Sequence, residues 1–305
     1  MIKIYYRNLR DKQLQTLDTY RIGSWVHVQE PTDDELAELV KKYSLDEGLL
    51  KDATDQYEVP RLEVEDGGIY IFSRYPYSRL HQITTSPILF ILKDQNIITV
   101  TKEKPPLLDG FLQRNIFFTT QKIKLFLQLF TVINTSYNSY LHTMSRETRS
   151  SSYELEKISN KDIATFVEYE RVLNDFNLAL VRTNTVLKNL LSHKYIKLYE
   201  EDRDLIEDLF LNNDQLIQIT KENLTSIVNI RDAYSTIMTN NTNRVIRFFT
   251  AVTVILTIPT IIASIYGMNV ALPFQDAPLA FMGVMIVILI LSVGLVFMFL
   301  MNDWL

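Results

Sequence analysis

Phe248-Phe249-Thr250-Ala251-Val252-Thr253-Val254-Ile255-Leu256-Thr257-Ile258-Pro259-Thr260-Ile261-Ile262-Ala263-Ser264-Ile265-Tyr266 is a run of 19 residues without a charge. After Gly267-Met268-Asn269 and a short connection comes a second uncharged run, the 26 residues from Ala277 to Asn302. As a helix, either run crosses the roughly 30 Å of bilayer hydrocarbon. Two transmembrane helices are therefore expected at the C-terminal end. The residues before them are charged, so a mean hydropathy of +0.01 averages two unlike parts.

The first run has an internal pattern. Read back from its outer end, Ser264, Thr260, Thr257, Thr253, Thr250, Ile246, Asn243, Thr239, Thr236, Asp232 and Asn229 recur in alternating steps of three and four. That is a 3.5-residue period, which places them on one seam of a helix that can supercoil with copies of itself. The seam is nearly all polar, whereas the residues between are Val, Ile, Leu, Ala and Phe within the apolar run. A polar seam in an apolar helix needs water or another polar surface. One hairpin encloses no pore, so a conducting role requires several first spans around an axis. The plainer alternative is that the hydroxyls bond their own i−4 carbonyls and ease helix packing.

At the mouth, Gly267 allows the chain to leave the helix in the manner of a C-terminal cap glycine and exposes backbone carbonyls, while Asn269 adds a neutral carboxamide oxygen. A ring of such oxygens can accept hydrogen bonds from the waters of a hydrated Mg²⁺, an ion that dehydrates reluctantly. Arg231, Arg244 and Arg247 precede the first span, and the connection from Gly267 to Pro278 has Asp276 but no Lys or Arg. By the positive-inside rule the N-terminal part is cytoplasmic and the connection external, and an even number of spans returns Asp303-Trp304-Leu305 to the cytoplasm. Met1-Ile2-Lys3-Ile4-Tyr5-Tyr6-Arg7 lacks the apolar core of a secretory signal, in keeping with that orientation.

Upstream, short apolar runs alternate with turn signals to about residue 104, as in a small α/β unit. Trp25–Val28, Gly68–Phe72, Ile88–Leu92 and Ile97–Val100 read as strands, the last two joined by a turn at 93–96. Thr32 followed by Asp33, Asp34 and Glu35 marks a helix start. From Leu107 to Tyr199 only Gly110 interrupts a helical spacing, which predicts two or three long helices. From about Asp202 to Tyr266 the chain has no glycine and one proline, Pro259, so one helix of roughly 95 Å is expected. The resulting fold class is an α+β membrane protein. Its divisions are an α/β domain over 1–120, long helices over 121–200, a stalk helix over 201–247 and a two-helix membrane domain over 248–305.

The chain has no cysteine, which excludes disulfides and thiolate sites, and its net charge of −5 without a basic stripe argues against nucleic acid. His27, His81, His142 and His193 have no ligand spacing, and no catalytic triad or phosphate loop is present. No enzyme is expected. The acids between Asp33 and Glu65 are read as solvent-facing.

Tyr266-Gly267-Met268-Asn269 between two spans, with Trp304-Leu305 closing the second, resembles the CorA family of divalent-cation channels. Trp25 with Pro31-Thr32, Pro60-Arg61 and Ile97–Val100 are similar to that family's soluble domain. The resemblance implies a funnel-shaped homopentamer in the plasma membrane that takes up Mg²⁺, and Co²⁺ or Ni²⁺ beside it, down the electrochemical gradient, with Mg²⁺ also regulatory. It implies a selectivity mouth at Gly267, Met268 and Asn269 and a pore lined by Asn243, Ile246, Phe249, Thr250, Thr253, Thr257, Thr260 and Ser264. Ile246 and Phe249 stand at the family's hydrophobic constriction, while Thr257 stands where the family can have methionine. Asp208 matches an acidic position of the family's regulatory site, and Asp232 is a further candidate ligand on the seam. The usual acidic partner of Asp208 is missing, since Ile71–Leu92 contains no Asp or Glu, and Met301-Asn302-Asp303 replaces a basic tail. Two other readings stand beside the channel: a zinc transporter of the same superfamily, which would carry Gly-Ile-Asn rather than Gly-Met-Asn, and a non-conducting coiled-coil scaffold, which would carry an apolar seam.

Overall fold

A computed structural model describes the chain except residues 80–81, 153–157, 193–194, 196–197, 271, 274–277, 303 and 305. Contacts divide it into two units, Met1–Ile230 and Arg231–Leu305. His81, His193, Asp276, Asp303 and Leu305 lie outside the described residues.

The first unit is built on a seven-stranded mixed sheet of order β2-β1-β3-β7-β6-β5-β4. Its strands are β1 (Ile2–Tyr6), β2 (Gln15–Leu17), β3 (Trp25–Gln29), β4 (Arg61–Glu65), β5 (Gly68–Arg79), β6 (Gln82–Lys93) and β7 (Asn96–Thr101). Only β3 and β7 pair in parallel, with Trp25 opposite Ile97 and Val28 opposite Val100. Alternate residues of these strands enter two different cores. Val26, Val28, Leu89, Ile91 and Ile98 pack with Leu36, Leu39, Leu49 and Leu50 of α1 (Asp33–Tyr43) and α2 (Glu47–Asp52). Trp25, Ile88, Phe90, Leu92 and Ile97 join residues of the later helices. Burial on both faces explains why β3, β6 and β7 read as continuous apolar runs.

The later helices are α3 (Pro106–Arg114), α4 (Lys122–Ser152), α5 (Asn160–Leu191), α6 (Glu200–Tyr266) and α7 (Ala280–Met301). Phe126 and Phe130 of α4 meet Phe90, and Tyr137 of α4 meets Phe176 of α5 edge-on at 4.8 Å. The first part of α6 adds Ile206, Leu209, Leu216, Ile227 and Ile230 to the same core. Asn213 and Asn223 lie buried in that stripe, donating to Leu180 O at 2.8 Å and Leu141 O at 3.3 Å.

Local chemistry supports these elements. Thr32 and Glu35 form a reciprocal capping box at α1, and Asp46 caps α2 through Leu49 N. Trp25 Nε1 donates to Thr99 Oγ1 at 2.9 Å, and Thr99 Oγ1 lies 2.9 Å from His27 Nδ1. Burial pushes the His27 pKa down to about 4, so the ring is neutral at pH 7.

The acids between Asp33 and Glu65 are exposed or half-buried, as expected, and several of them also make local contacts. Asp46 and Glu35 are caps, and Asp52, Glu58 and Glu63 all pair with Arg61, whose guanidinium lies 4.1 Å from the Phe72 ring centre. The acids there fix the Asp52–Arg61 connection to the sheet.

Candidate ion pathway

Among the described residues two helices are long and apolar enough to cross a membrane, α6 and α7. Pro259 stands within α6 without ending it. Nearly every residue of the Arg231–Leu305 unit is exposed or half-buried, Ala251 and Phe299 being the buried ones among those described. A surface this apolar belongs in lipid or against other apolar helices.

Asn243, Ile246, Phe249, Thr250, Thr253, Thr257, Thr260 and Ser264 are all exposed. The less exposed positions Ala251, Ile255, Ile258 and Ile262 follow the same rhythm on another face. At 100° per residue the two sets are centred about 150° apart around the axis. Ile262 shares a cavity of about 420 Å³ with Leu279, Ala280, Gly283, Val284 and Val287, so its face is the one turned to α7. The hydroxyl seam faces away from α7.

Its hydroxyls bond as the plainer reading expects. Thr250 donates to Ile246 O at 2.8 Å, Thr253 to Phe249 O at 2.8 Å, Thr257 to Thr253 O at 2.7 Å and Thr260 to Leu256 O at 2.9 Å. Further down, Thr236 and Thr239 donate likewise to Asp232 O and Ser235 O. Each proton is thereby committed to the helix. What remains on each oxygen is lone-pair density directed outward, so toward solvent these threonines are acceptors only.

At the end of α6, Gly267 N donates to Ala263 O at 2.9 Å and Met268 N to Ile265 O at 3.2 Å. The chain leaves the helix by a tightening turn, and Gly267 is absent from the positive-φ glycines, which are Gly23 and Gly67. The chain leaves the helix at Gly267, as expected, without using glycine's left-handed freedom. A Cβ there would lie 3.3 Å from Ala263 O and 3.6 Å from Ser264 O, so the missing side chain leaves those carbonyls uncovered. Met268 and Asn269 are exposed beyond the turn.

Asp208 and Asp232 are both exposed on α6. His27 is buried on β3, and His142 is exposed on α4. Among the described residues no group of three His, Cys, Asp or Glu side chains could hold a metal. Arg244 and Arg247 are exposed on α6 just before the apolar run. At the far end, Trp304 N donates to Phe299 O at 3.0 Å, and the two rings stack with centres 5.5 Å apart. That fold-back is a local packing contact which the sequence reading did not foresee.

Residues 22–300 match the family described as CorA-like Mg²⁺ transporter protein. The cobalt/magnesium transport protein CorA of Methanocaldococcus jannaschii is 28% identical over 95% of this chain and 93% of its own length. The magnesium transport protein CorA of Haemophilus ducreyi is 24% identical over 80% of each. The solved structure of the complete Methanocaldococcus jannaschii transporter superposes with a TM-score of 0.87, at 23% identity, over 100% of this chain and 99% of that one. That likeness shows the fold, and the family match over most of the chain makes the protein the subunit of a membrane transport protein rather than an enzyme. The chain belongs to the CorA family of Mg²⁺/Co²⁺ transporters.

Proposed function

We propose that the chain forms a homopentameric channel for Mg²⁺ uptake, passing Co²⁺ and Ni²⁺ as ions of similar size and octahedral hydration. Five α6 helices would surround the pore with their hydroxyl seams inward. Gly267, Met268 and Asn269 would form the external mouth, and the termini would lie in the cytoplasm of a cell whose plasma membrane holds the channel. The observation that carries this reading is the acceptor-only seam directed away from α7. Waters bound to Mg²⁺ are strong donors, and oxygens whose own protons are tied to the helix meet them with lone pairs only. No dehydration is required. The i−4 bonding and the pore role are therefore compatible, since the first sets the polarity of the second.

Ile246 and Phe249 are 56% and 63% exposed toward the inner end of the seam, above Asn243, and supply the apolar ring that would close by dewetting. Asp232 would concentrate cations on the cytoplasmic side, and Asp208 would be a minor contributor to regulatory Mg²⁺ binding between subunits. Flux of Mg²⁺ into liposomes containing the purified protein, wild type against Asn269→Ala, tests the proposal. Wild-type flux that Asn269→Ala abolishes is expected. Absence of wild-type flux refutes the channel, and full flux in the variant refutes the mouth.

A further inference from the structure

Arg74 lies within β5, at the part of the strand that pairs with Pro87. Its guanidinium donates from Nε to Thr85 Oγ1 at 2.8 Å, from Nη1 to Glu58 O at 2.6 Å and from Nη2 to Thr85 O at 2.9 Å. All three acceptors are neutral. A guanidinium has five N–H groups, so each terminal nitrogen keeps one that is not committed. The Glu58 carboxylate is turned to Arg61, and Asp175 and Asp55 act on Arg74 only through space. Burial holds the arginine's pKa below its ordinary value, as befits a cation withdrawn from water without a close counter-ion.

Beside this fork is a cavity of about 320 Å³ lined also by Arg171, Thr84, Thr85, Asp175 and Tyr57. Water occupies roughly 30 Å³ per molecule in the liquid, so the space suits a phosphoryl group with part of its hydration shell. Arg171 reaches it from α5. Its contacts to Asp175 and Glu168 are long, 3.5 Å and 3.6 Å, and its side chain is 54% exposed. Open pairs of that kind are weak and readily exchanged for a better anion. Tyr57, 86% exposed, presents a ring at the same cavity.

We propose that this cavity binds a phosphate-type oxyanion, gripped by the free N–H pair of Arg74 and by Arg171, with Tyr57 available to an aromatic base attached to it. Planar guanidinium forks match the spacing of phosphate oxygens. The only carboxylate among the cavity's lining residues that is not held by another arginine of the strand layer is Asp175, which competes with the anion for Arg171. The site is independent of the transport reading, since all its residues belong to the first unit.

The test is calorimetric titration of the full-length protein in detergent, without divalent cations and at constant ionic strength, with inorganic phosphate and separately with AMP. Saturable phosphate binding is expected, weakened about tenfold or more by Arg171→Gln, a loss of at least one charge-assisted contact. Arg74→Lys should weaken it as well, and Asp175→Asn should tighten it. AMP binding tighter than phosphate, with the gain lost in Tyr57→Ala, supports a nucleotide; equal binding supports the free ion. Because Arg171 is on an exposed helix face, its variant reports even if the Arg74 variant unfolds. The proposal is overturned by absence of saturable binding, by an equal response to chloride, or by affinities that Arg171→Gln and Asp175→Asn leave unchanged.

Discussion

Thr257→Val separates the two roles of the hydroxyl seam. Valine keeps the volume and the β-branched rotamer of threonine, so the backbone of α6 has no reason to change. What is lost is the bond to Thr253 O at 2.7 Å and the lone pairs it leaves directed outward. The helix itself barely notices, because a back-bonded threonine contributes almost nothing to helix stability. A hydrated ion passing the ring of the proposed pore would notice. Each hydrogen bond to a charged partner contributes roughly 1.5–3 kcal/mol net, and an ion that touches one or two hydroxyls of the ring would lose about 1.5–3 kcal/mol in all, allowing for water refilling the gap. At about 1.4 kcal/mol per factor of ten, Mg²⁺ flux should fall about 10- to 100-fold. Thr257→Ser, which keeps the oxygen, should stay within a few-fold of wild type. The assay is uptake into liposomes at matched protein incorporation. Wild-type flux in Thr257→Val would show that the hydroxyls serve only the helix, and the ion pathway would have to be sought elsewhere.

Thr99→Val leaves the buried Trp25 Nε1 and His27 Nδ1 without their shared hydroxyl. That should cost about 2–3 kcal/mol and lower the midpoint of urea unfolding followed by tryptophan fluorescence. For His27 the folded pKa of about 4 lies below the unfolded value, so the unfolded chain takes up a proton first as pH falls. The resulting stability is complete above about pH 6.5 and declines toward pH 4, by about 2 kcal/mol between pH 7 and pH 5; His27→Gln should flatten that part of the profile. Asp208→Asn should reduce Mg²⁺-dependent protection from protease only modestly, and total loss of protection would make Asp208 the principal sensor.

The sequence made some elements visible and hid others for physical reasons. Thr32 and Glu35 announce α1 because a capping box is a local device, complete within four residues. Strands β3, β6 and β7 are buried on both faces and so read as apolar runs, but β4 at the sheet edge is half-exposed and carries Arg61, Glu63 and Glu65. Its pattern resembles a polar loop. Pro76 and Pro87 cut short the reading of β5 and β6, which continue to Arg79 and from Gln82. Beyond Ser73 the two strands pair only with each other, because β4 ends opposite Phe72 and β7 opposite Ile88. A ribbon with free outer edges tolerates proline. The hydroxyl seam was legible from its period alone, but the direction of its hydrogen bonds and its angle to α7 require the folded hairpin. The exposure of carbonyls at Gly267 was expected from its place at the helix end; which two carbonyls, those of Ala263 and Ser264, requires the folded turn.

Conduction requires sites that hold an ion weakly and lie close enough together for it to pass between them. A 3.5-residue repeat on a helix rising 1.5 Å per residue sets successive rings about 5 Å apart, and the column from Asn243 to Ser264 would then extend roughly 32 Å. Along that length the seam carries hydroxyls, one carboxamide and the apolar Ile246, and no carboxylate. A carboxylate would strip or trap a divalent ion, whereas a neutral acceptor bonds only the water around it. The nearest acid on the seam, Asp232, lies three steps below Asn243, outside the apolar run. In the proposed channel, charge would thus sit where an ion is gathered and be withheld where it must keep moving. An acid introduced within the column, as in Thr253→Asp, should therefore increase Mg²⁺ occupancy and reduce flux in the same preparation. Higher occupancy together with undiminished flux would contradict that division.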